Sequence, residues 1–551
     1  MAAPPAAAAG VVGRTRQRGT RRNAELGLLL LAMIVVTVYS AAVELQALET
    51  LSGDFWVPVA VLGTIFLGAH IAVRVLARYA DPVLLPSVAL LNGIGVAFLR
   101  RVDLARADPA SRLDLPVFSN IAGRQLLWTL AAVVGAVVLL AVVRDHRAVS
   151  RYAWTLGLVG IVLMTIPALL PRSVSEVNGA KLWIRISGFS IQPGEFAKLA
   201  LLSFFAYYLV RKREVLSLAS RRFAGVDFPR GRDLGPVVVV WLLSLMVLVF
   251  QKDLGMSLLY FGMFVVTLYI ATERVSWLII GLLLFFGGAF LSWSLGTIGG
   301  PFTSFHQRVT IWLDPFGPLP ASDPAARAYN DGYQLVQSLL GLGTGGLFGA
   351  GPGGGQPNEV PEVHNDFIFA GIGEEIGLFG LAALLMLYLV IVTRGIRAGI
   401  AVRDSFGKLL AGGLAFTLGL QVFVIVGGIS RLIPLTGQTT PFLSAGGSSL
   451  MANWLLLAML LRISDAARRP AAPPGTGGQI RPPGPPPGVA TARVASAPPA
   501  PTPAAPRPAA APPAPTPGAP TAPPAPAPAD EPTVADGAAP ESGPGPRGVD
   551  G

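Results

Sequence analysis

Four stretches of this chain, Leu28 to Val43, Leu127 to Val143, Val237 to Phe250 and Leu278 to Leu291, contain no charged residue. They limit the fold more than any other feature, because a helix needs about 20 predominantly apolar residues to cross a hydrocarbon core. The chain of 551 residues is 52% hydrophobic and only 13% charged, with a mean hydropathy of +0.58. A soluble globule of that length would lack the polar residues to coat itself. The fold class is all-α, a polytopic membrane protein. Apolar runs predict about twelve transmembrane helices, near 25–44, 56–78, 82–100, 124–143, 153–170, 193–211, 235–250, 255–271, 275–295, 365–393, 406–428 and 440–462.

The charges orient these helices. The segments Lys212 to Arg232, Arg144 to Arg151, Arg394 to Lys408 and Arg462 to Arg469 are basic and fall on one side when the N-terminus is cytoplasmic. The acidic loop with Glu44, Glu49 and Asp54 falls on the other. The Arg-rich segment Arg100 to Arg124 dissents, but an even helix count places both basic ends, and so both termini, in the cytoplasm. The net charge of +11 is then a topology signal, and its scatter among short loops argues against a nucleic-acid partner. Cysteine is absent, which excludes disulfides, a thiol nucleophile and a cysteine metal site. The run from Leu28 lacks a small-residue cleavage site, so it reads as a retained helix. Residues 1–23 are a basic disordered N-terminus, and 466–551 form a tail rich in Pro and Ala that cannot offset chain entropy by burial.

Between Gly296 and His364 runs a long polar loop, extracytoplasmic in this topology and without evident secondary structure. Loops of that kind are usually functional or disordered. It carries Asp314, Asp323, Asp331, Glu359 and Glu362, and leads through His364 into Asp366. No EF-hand or zincin spacing appears. Four further clusters could bear chemistry. Gly179 to Arg185 precedes Gln192 to Lys198, where Glu195 and Lys198 share a helix face. An unpaired ammonium inside an apolar helix is costly, so this pair locks the bundle, lines a wet cavity where the Lys can attract a phosphate, or does both. Gln251 to Gly255 reads as a tight turn. The adjacent Glu374 and Glu375 must face partners or a cavity. Arg431 to Gly437 and Thr440 to Ser449 are small and polar, suited to close packing or to presenting N–H groups to an anion.

In this order the clusters resemble the SEDS (shape, elongation, division, sporulation) family of RodA, FtsW and SpoVE. The matching motifs are Gly-Ala-x-x-Trp with Gln-Pro-x-Glu-x-x-Lys at 179–183 and 192–198, Gln-x-Asp-Leu-Gly at 251–255, and Gly-Tyr-Gln-x-x-Gln-Ser at 332–338. Pro-Glu-x-His-x-Asp-Phe-Ile-Phe begins at 361, and Pro-x-x-Gly leads to Pro-Phe-x-Ser-x-Gly-Gly-Ser-Ser over 434–449. The resemblance spans 80–465 and implies a ten-helix core, with two additional helices in 24–79. The Arg431 to Gly437 segment and the tail are most like RodA-type members of high-GC Gram-positive bacteria.

The resemblance implies a peptidoglycan glycosyltransferase that polymerises lipid II on the outer membrane face, with a class B penicillin-binding protein as partner. It implies Asp323 as the catalytic carboxylate, with Asp331 as competitor. Arg124, Trp183, Gln192, Glu195, Lys198, Asp253, His364, Asp366 and Ser448 are the implied substrate-binding residues. Arg124 and Lys198 are expected to neutralise the departing diphosphate, alone or with a divalent cation such as magnesium or manganese. Gly194, Lys252 and Ala445 depart from the usual Ser, Pro and Tyr. The competing readings are a lipid II flippase or transporter, and a non-catalytic scaffold for the penicillin-binding protein.

Overall fold

A computed structural model describes residues 21–113, 115–177, 180–186, 189–216, 219–223, 226–229, 235–298, 302–316 and 331–470. All twelve expected segments are helical: α1 (Arg22–Leu48), α2 (Trp56–Leu76), α3 (Leu84–Arg106), α4 (Ile121–Val142), α5 (Ala153–Leu169), α6 (Pro193–Leu216), α7 (Gly235–Gln251), α8 (Leu254–Thr272), α9 (Val275–Gly296), α12 (Ile368–Ala401), α13 (Ser405–Ile429) and α14 (Gly447–Arg468). Eight of them are long and apolar enough to cross a bilayer, and α5 is a shorter apolar helix. Helices α3 and α6 are long but interrupted by charge, at Arg100, Arg101 and Asp103 and at Glu195 and Lys198. Short antiparallel hairpins pair Glu176–Val177 with Ala180–Lys181 (β1, β2), Ile184–Ile186 with Phe189–Ile191 (β3, β4) and Ala219–Phe223 with Val226–Pro229 (β5, β6). The Pro-rich tail beyond residue 470 lies outside the described residues.

Helices α3, α8, α13 and α14 carry the buried centre, with Phe98, Phe264, Leu418 and Trp454 almost free of solvent. The outer faces are the reverse of a soluble protein. Leu30, Val75, Phe290 and Ile400 are 58%, 72%, 68% and 74% exposed, as expected where lipid replaces water. The N-terminal helices are fastened to the core. Tyr39 on α1 donates to Glu375 at 3.0 Å, and Arg101 of α3 lies 3.3 Å from the same carboxylate. His70 on α2 meets Glu25 on α1 at 2.7 Å.

Two expectations need correction. The loop 296–364 is not structureless: it contains α10 (Thr303–Leu313) and α11 (Asp331–Gly345). Both are amphipathic and shorter than a span, so a search for long apolar runs passes over them. In α11, Leu335 is buried while Leu340 is half exposed. The last helix starts at Gly447, not near 440, because Pro441 cannot donate a backbone hydrogen bond and Phe442 has φ +68°. The segment 434–446 instead crosses the protein as irregular backbone.

Helix α12 is broken at Gly377, where φ is +67°. A break at membrane depth frees backbone groups that lipid cannot satisfy. Here the glycine-rich turn after α11 satisfies them. Ala350 and Gly351 donate to the carbonyls of Glu374 and Glu375 at 2.9 and 3.0 Å, and Leu378 and Phe379 donate to Gly346 and Leu347 at 2.9 and 3.2 Å. A Cβ on Gly377 would lie 2.3 Å from the Gly349 nitrogen. Gly377→Ala is expected to lower the thermal midpoint of the detergent-solubilised protein by several degrees, since it adds a clash to a left-handed backbone. A midpoint equal to wild type would show that the turn moves aside without penalty.

Candidate functional site

Pro193 opens α6, and Glu195 and Lys198 follow within its first two turns. Lys198 is completely buried. Its ammonium donates to Glu195 at 2.7 Å and to Gln421 of α13 at 2.8 Å, and reaches Asn453 of α14 at 3.5 Å. Three donors meet three acceptors, which is what makes a buried ammonium tolerable. Gln421 in turn donates to the Thr439 carbonyl at 3.4 Å, and Asn453 donates to the Ser449 carbonyl at 2.8 Å. The Gln192 N–H donates to the Ser448 hydroxyl at 2.9 Å, which pins the start of α6 to the start of α14.

Above this knot lies a cavity of about 700 Å³. The turn carrying Leu182 and Trp183 between β2 and β3 forms one wall, and Gln192, Glu195 and Asp253 form the floor. Glu362, His364 and Asp366 come from the stretch before α12, and Thr436 to Thr439 from the irregular crossing segment. Six residues expected at a site thus meet there: Trp183, Gln192, Glu195, Asp253, His364 and Asp366. Lys198 does not line the cavity; it stands behind Glu195, with its charge already matched. Ser448 also lies behind the wall, as a positioning hydroxyl. Arg124 is exposed on α4, near enough to bear on His364 electrostatically but not on the cavity wall. Asp323 lies outside the described residues, as does the side chain of Asp331.

The cations that do line the cavity are Arg308 of α10 and Lys252. Arg308 donates to the Leu435 carbonyl at 2.7 Å. Its helix is held by a reciprocal clasp, in which the Trp312 indole donates to the Arg431 carbonyl at 3.0 Å and the Arg431 guanidinium returns to Trp312 at 2.9 Å. Arg308 is absent from the residues expected at a site because the helix that carries it, α10, is too short to stand out as an apolar run. The readable signal was amphipathic spacing around it. Lys252 and Glu362, both on the wall, have φ of +58° and +52°. Such backbone in residues other than Gly costs on the order of 1 kcal/mol or more and tends to collect at functional sites.

Asp253, in the link between α7 and α8, caps α8 by accepting from the Met256 N–H at 2.9 Å. Burial pushes its carboxyl up to about 6, against the lowering effect of that N–H and of Arg308. Burial likewise holds His364 below the usual imidazole value, with Arg106 and Arg124 acting in the same direction and Glu362 opposing. The His364 carbonyl accepts from Ala445 at 2.8 Å, so the departure at 445 stands beside the site. At the departure 194, a Cβ would sit 3.2 Å from the Tyr260 hydroxyl, which donates to the Gly194 carbonyl at 2.9 Å. Glu374 and Glu375 belong to the α12 break and not to this cavity.

The family model for FtsW, RodA and SpoVE, described as cell cycle protein, matches residues 81–469. The peptidoglycan glycosyltransferase RodA of Mycobacterium tuberculosis is 47% identical over 451 residues, 82% of this chain and 92% of that one. Its counterpart in Mycobacterium leprae is 48% identical over 469 residues, 84% of this chain and 94% of that one. Among solved structures, a chain of a peptidoglycan synthase complex matches at 24% identity with a TM-score of 0.45, covering 74% of this chain and 97% of that one.

The buried pair should show strong coupling. Lys198→Met strands the Glu195 carboxylate and is expected to destabilise the protein by about 3–5 kcal/mol, whereas adding Glu195→Leu should restore most of the loss. Additive losses in thermal unfolding would deny the pair. For Asp253 the folded carboxyl titrates near 6 and the unfolded one near 3.8, so the folded state holds the proton longer. Stability is therefore lost as pH rises from about 4 through 6, by roughly 3 kcal/mol in all. Asp253→Asn, which keeps the cap, should raise the thermal midpoint at pH 8, with the gain shrinking to nothing near pH 4. A gain independent of pH would mean that charge burial is not its cause.

Proposed function

The chain belongs to the cell cycle protein family of FtsW, RodA and SpoVE, and on that premise we propose that its 700 Å³ cavity is where glycan strands are extended. It is a peptidoglycan glycosyltransferase with RodA-type affinity, and a multi-pass protein of the bacterial cytoplasmic membrane. The substrate in this reading is lipid II, a disaccharide pentapeptide on undecaprenyl diphosphate. The cavity faces the outside of the cell, with both termini in the cytoplasm. A class B penicillin-binding protein accompanies it and cross-links the product.

In the reaction, an acceptor sugar hydroxyl attacks the anomeric carbon of the donor. The bond from that carbon to the diphosphate oxygen breaks, the lipid diphosphate leaves with the electron pair, and the hydroxyl proton passes to a carboxylate. We assign that carboxylate to Asp323. The supporting observation is that both helices flanking its loop reach the cavity, α10 through Arg308 and α11 through Gln334. Charge building on the diphosphate falls to Arg308 and Lys252, with Arg124 outside, because the Lys198 charge is already spent on Glu195. Among the described residues no group of three or more carboxylate, imidazole or thiol side chains is placed to hold a metal ion. No step of this reaction is routed through magnesium or manganese.

Purified protein given fluorescent lipid II should form polymer. Asp323→Ala should reduce the rate roughly 100-fold or more, with expression and membrane insertion intact. Full activity in that variant would move the role to Asp331 or Asp314. Labelled lipid crossing proteoliposomes without any glycan formed would replace the whole reading with a flippase.

A further inference from the structure

We propose that a second cavity, of about 330 Å³, holds the product glycan strand beside the site where it is extended. The proposal rests on the glycosyltransferase reading of the 700 Å³ cavity and adds a second saccharide site to it. Six polar side chains line the smaller cavity: Gln46 of α1, Arg101 of α3, Arg112, and Gln356, Asn358 and Glu359 from the stretch that follows the glycine-rich turn. Gln46, Gln356, Asn358 and Glu359 are exposed, so a ligand can reach them. The walls are built in advance. Gly353, with φ +83°, brings its turn so close to α1 that a Cβ there would lie 2.8 Å from the Gln46 Cβ. Arg101 donates to the Gly355 carbonyl at 2.7 Å, and the Asn358 amide donates to the Ala105 carbonyl at 2.7 Å.

The charges say what fits. Arg101 is answered by Glu375 at 3.3 Å. Arg112 donates to the Ala107 carbonyl at 3.4 Å, and neither it nor Glu359 has an ion pair among the described residues. A charged ligand would be attracted by one of these two groups and repelled by the other. A neutral ligand rich in hydroxyl and acetamido groups can use both, because a guanidinium donates, a carboxylate accepts and a carboxamide does each. The sugar backbone of a glycan strand is such a ligand. The location agrees. Leu104 and Ala105 line the smaller cavity, and the next residue, Arg106, reaches His364 on the lining of the larger one at 3.4 Å. Glu359 and Glu362 line one cavity each and are separated by at most about 10 Å of chain. A lipid anchor confines a strand to the membrane but not to one enzyme, whereas a second contact keeps it at a high effective concentration after each transfer. The Arg-rich segment that runs against the orientation rule, and the helix α1 that precedes the matched family region, both contribute to this wall.

The test measures strand length made from fluorescent lipid II by the purified full-length protein, and binding of chitotetraose, a neutral N-acetylated tetrasaccharide, by saturation-transfer NMR. Arg112→Ala, Gln356→Ala and Gln46→Ala should each cut the mean strand length at least threefold, with the thermal midpoint unchanged. Chitotetraose should bind wild type and shorten its strands, and both effects should be lost in Arg112→Ala. Wild-type strand lengths in all three variants overturn the proposal, and so do short strands accompanied by a midpoint several degrees lower, which marks a packing role. Shortening by chitotetraose that persists in Arg112→Ala places the sugar in the larger cavity and also overturns it. Wild type that binds chitotetraose in an Arg112-dependent way yet makes no polymer would sink the glycosyltransferase mechanism and leave the saccharide site standing.

Discussion

A single ammonium holds the centre of this protein together. Lys198 has no contact with solvent, and its three hydrogen bonds run to α6, α13 and α14. In a bundle whose helices are otherwise apolar, packing alone distinguishes poorly between one rotation of a helix and the next. A buried cation that must find three acceptors admits one arrangement. That arrangement places Glu195 between the ammonium and the cavity, so the fold's lock is also the cavity's floor.

The second constraint is the treatment of irregular backbone inside the helical bundle. Helix α12 breaks at Gly377 and the segment 434–446 crosses without regular structure, yet both are covered by protein. The glycine-rich turn 346–351 closes the first gap. In the second, Ser444 donates to the Asn365 carbonyl at 2.6 Å, and its hydroxyl accepts from the Thr440 N–H at 2.8 Å. Irregular backbone of this kind is tolerated where it is buried in protein or lines a polar cavity, and the crossing segment does both. It carries the left-handed Gly437 onto the wall. Of the two departures from regular structure, the crossing segment lines the cavity, while the break at Gly377 lies away from it.

Electrostatically the cavity is mixed. Glu195, Asp253, Glu362 and Asp366 share the lining with Arg308 and Lys252, and burial holds His364 below the usual imidazole value. A lipid diphosphate donor brings negative charge that the two cations can meet, whereas an acceptor hydroxyl needs a carboxylate. The charges come from several elements, and one link supplies both signs, through Lys252 and Asp253.

The twelve helices were legible in the sequence, eight of them as full spans, because lipid imposes one rule on every spanning helix, and the rule is local: a sufficient apolar run. The Glu195–Lys198 pair was legible for the same reason, since an i,i+3 spacing fixes a shared face without knowledge of the rest. What could not be read was whether that face met a cavity or other helices, and there Gln421 and Asn453, more than two hundred residues away, decided for the lock. Arg308 stayed hidden because α10 is too short and too mixed in character to be counted, and its place on the wall comes from the Trp312–Arg431 clasp that holds its helix and from its own bond to the Leu435 carbonyl. The sequence by itself determined the membrane fold and the set of chemically able residues, because both follow from short-range composition. Only the tertiary structure decided which of those residues share a cavity, because that depends on contacts between segments that composition does not connect.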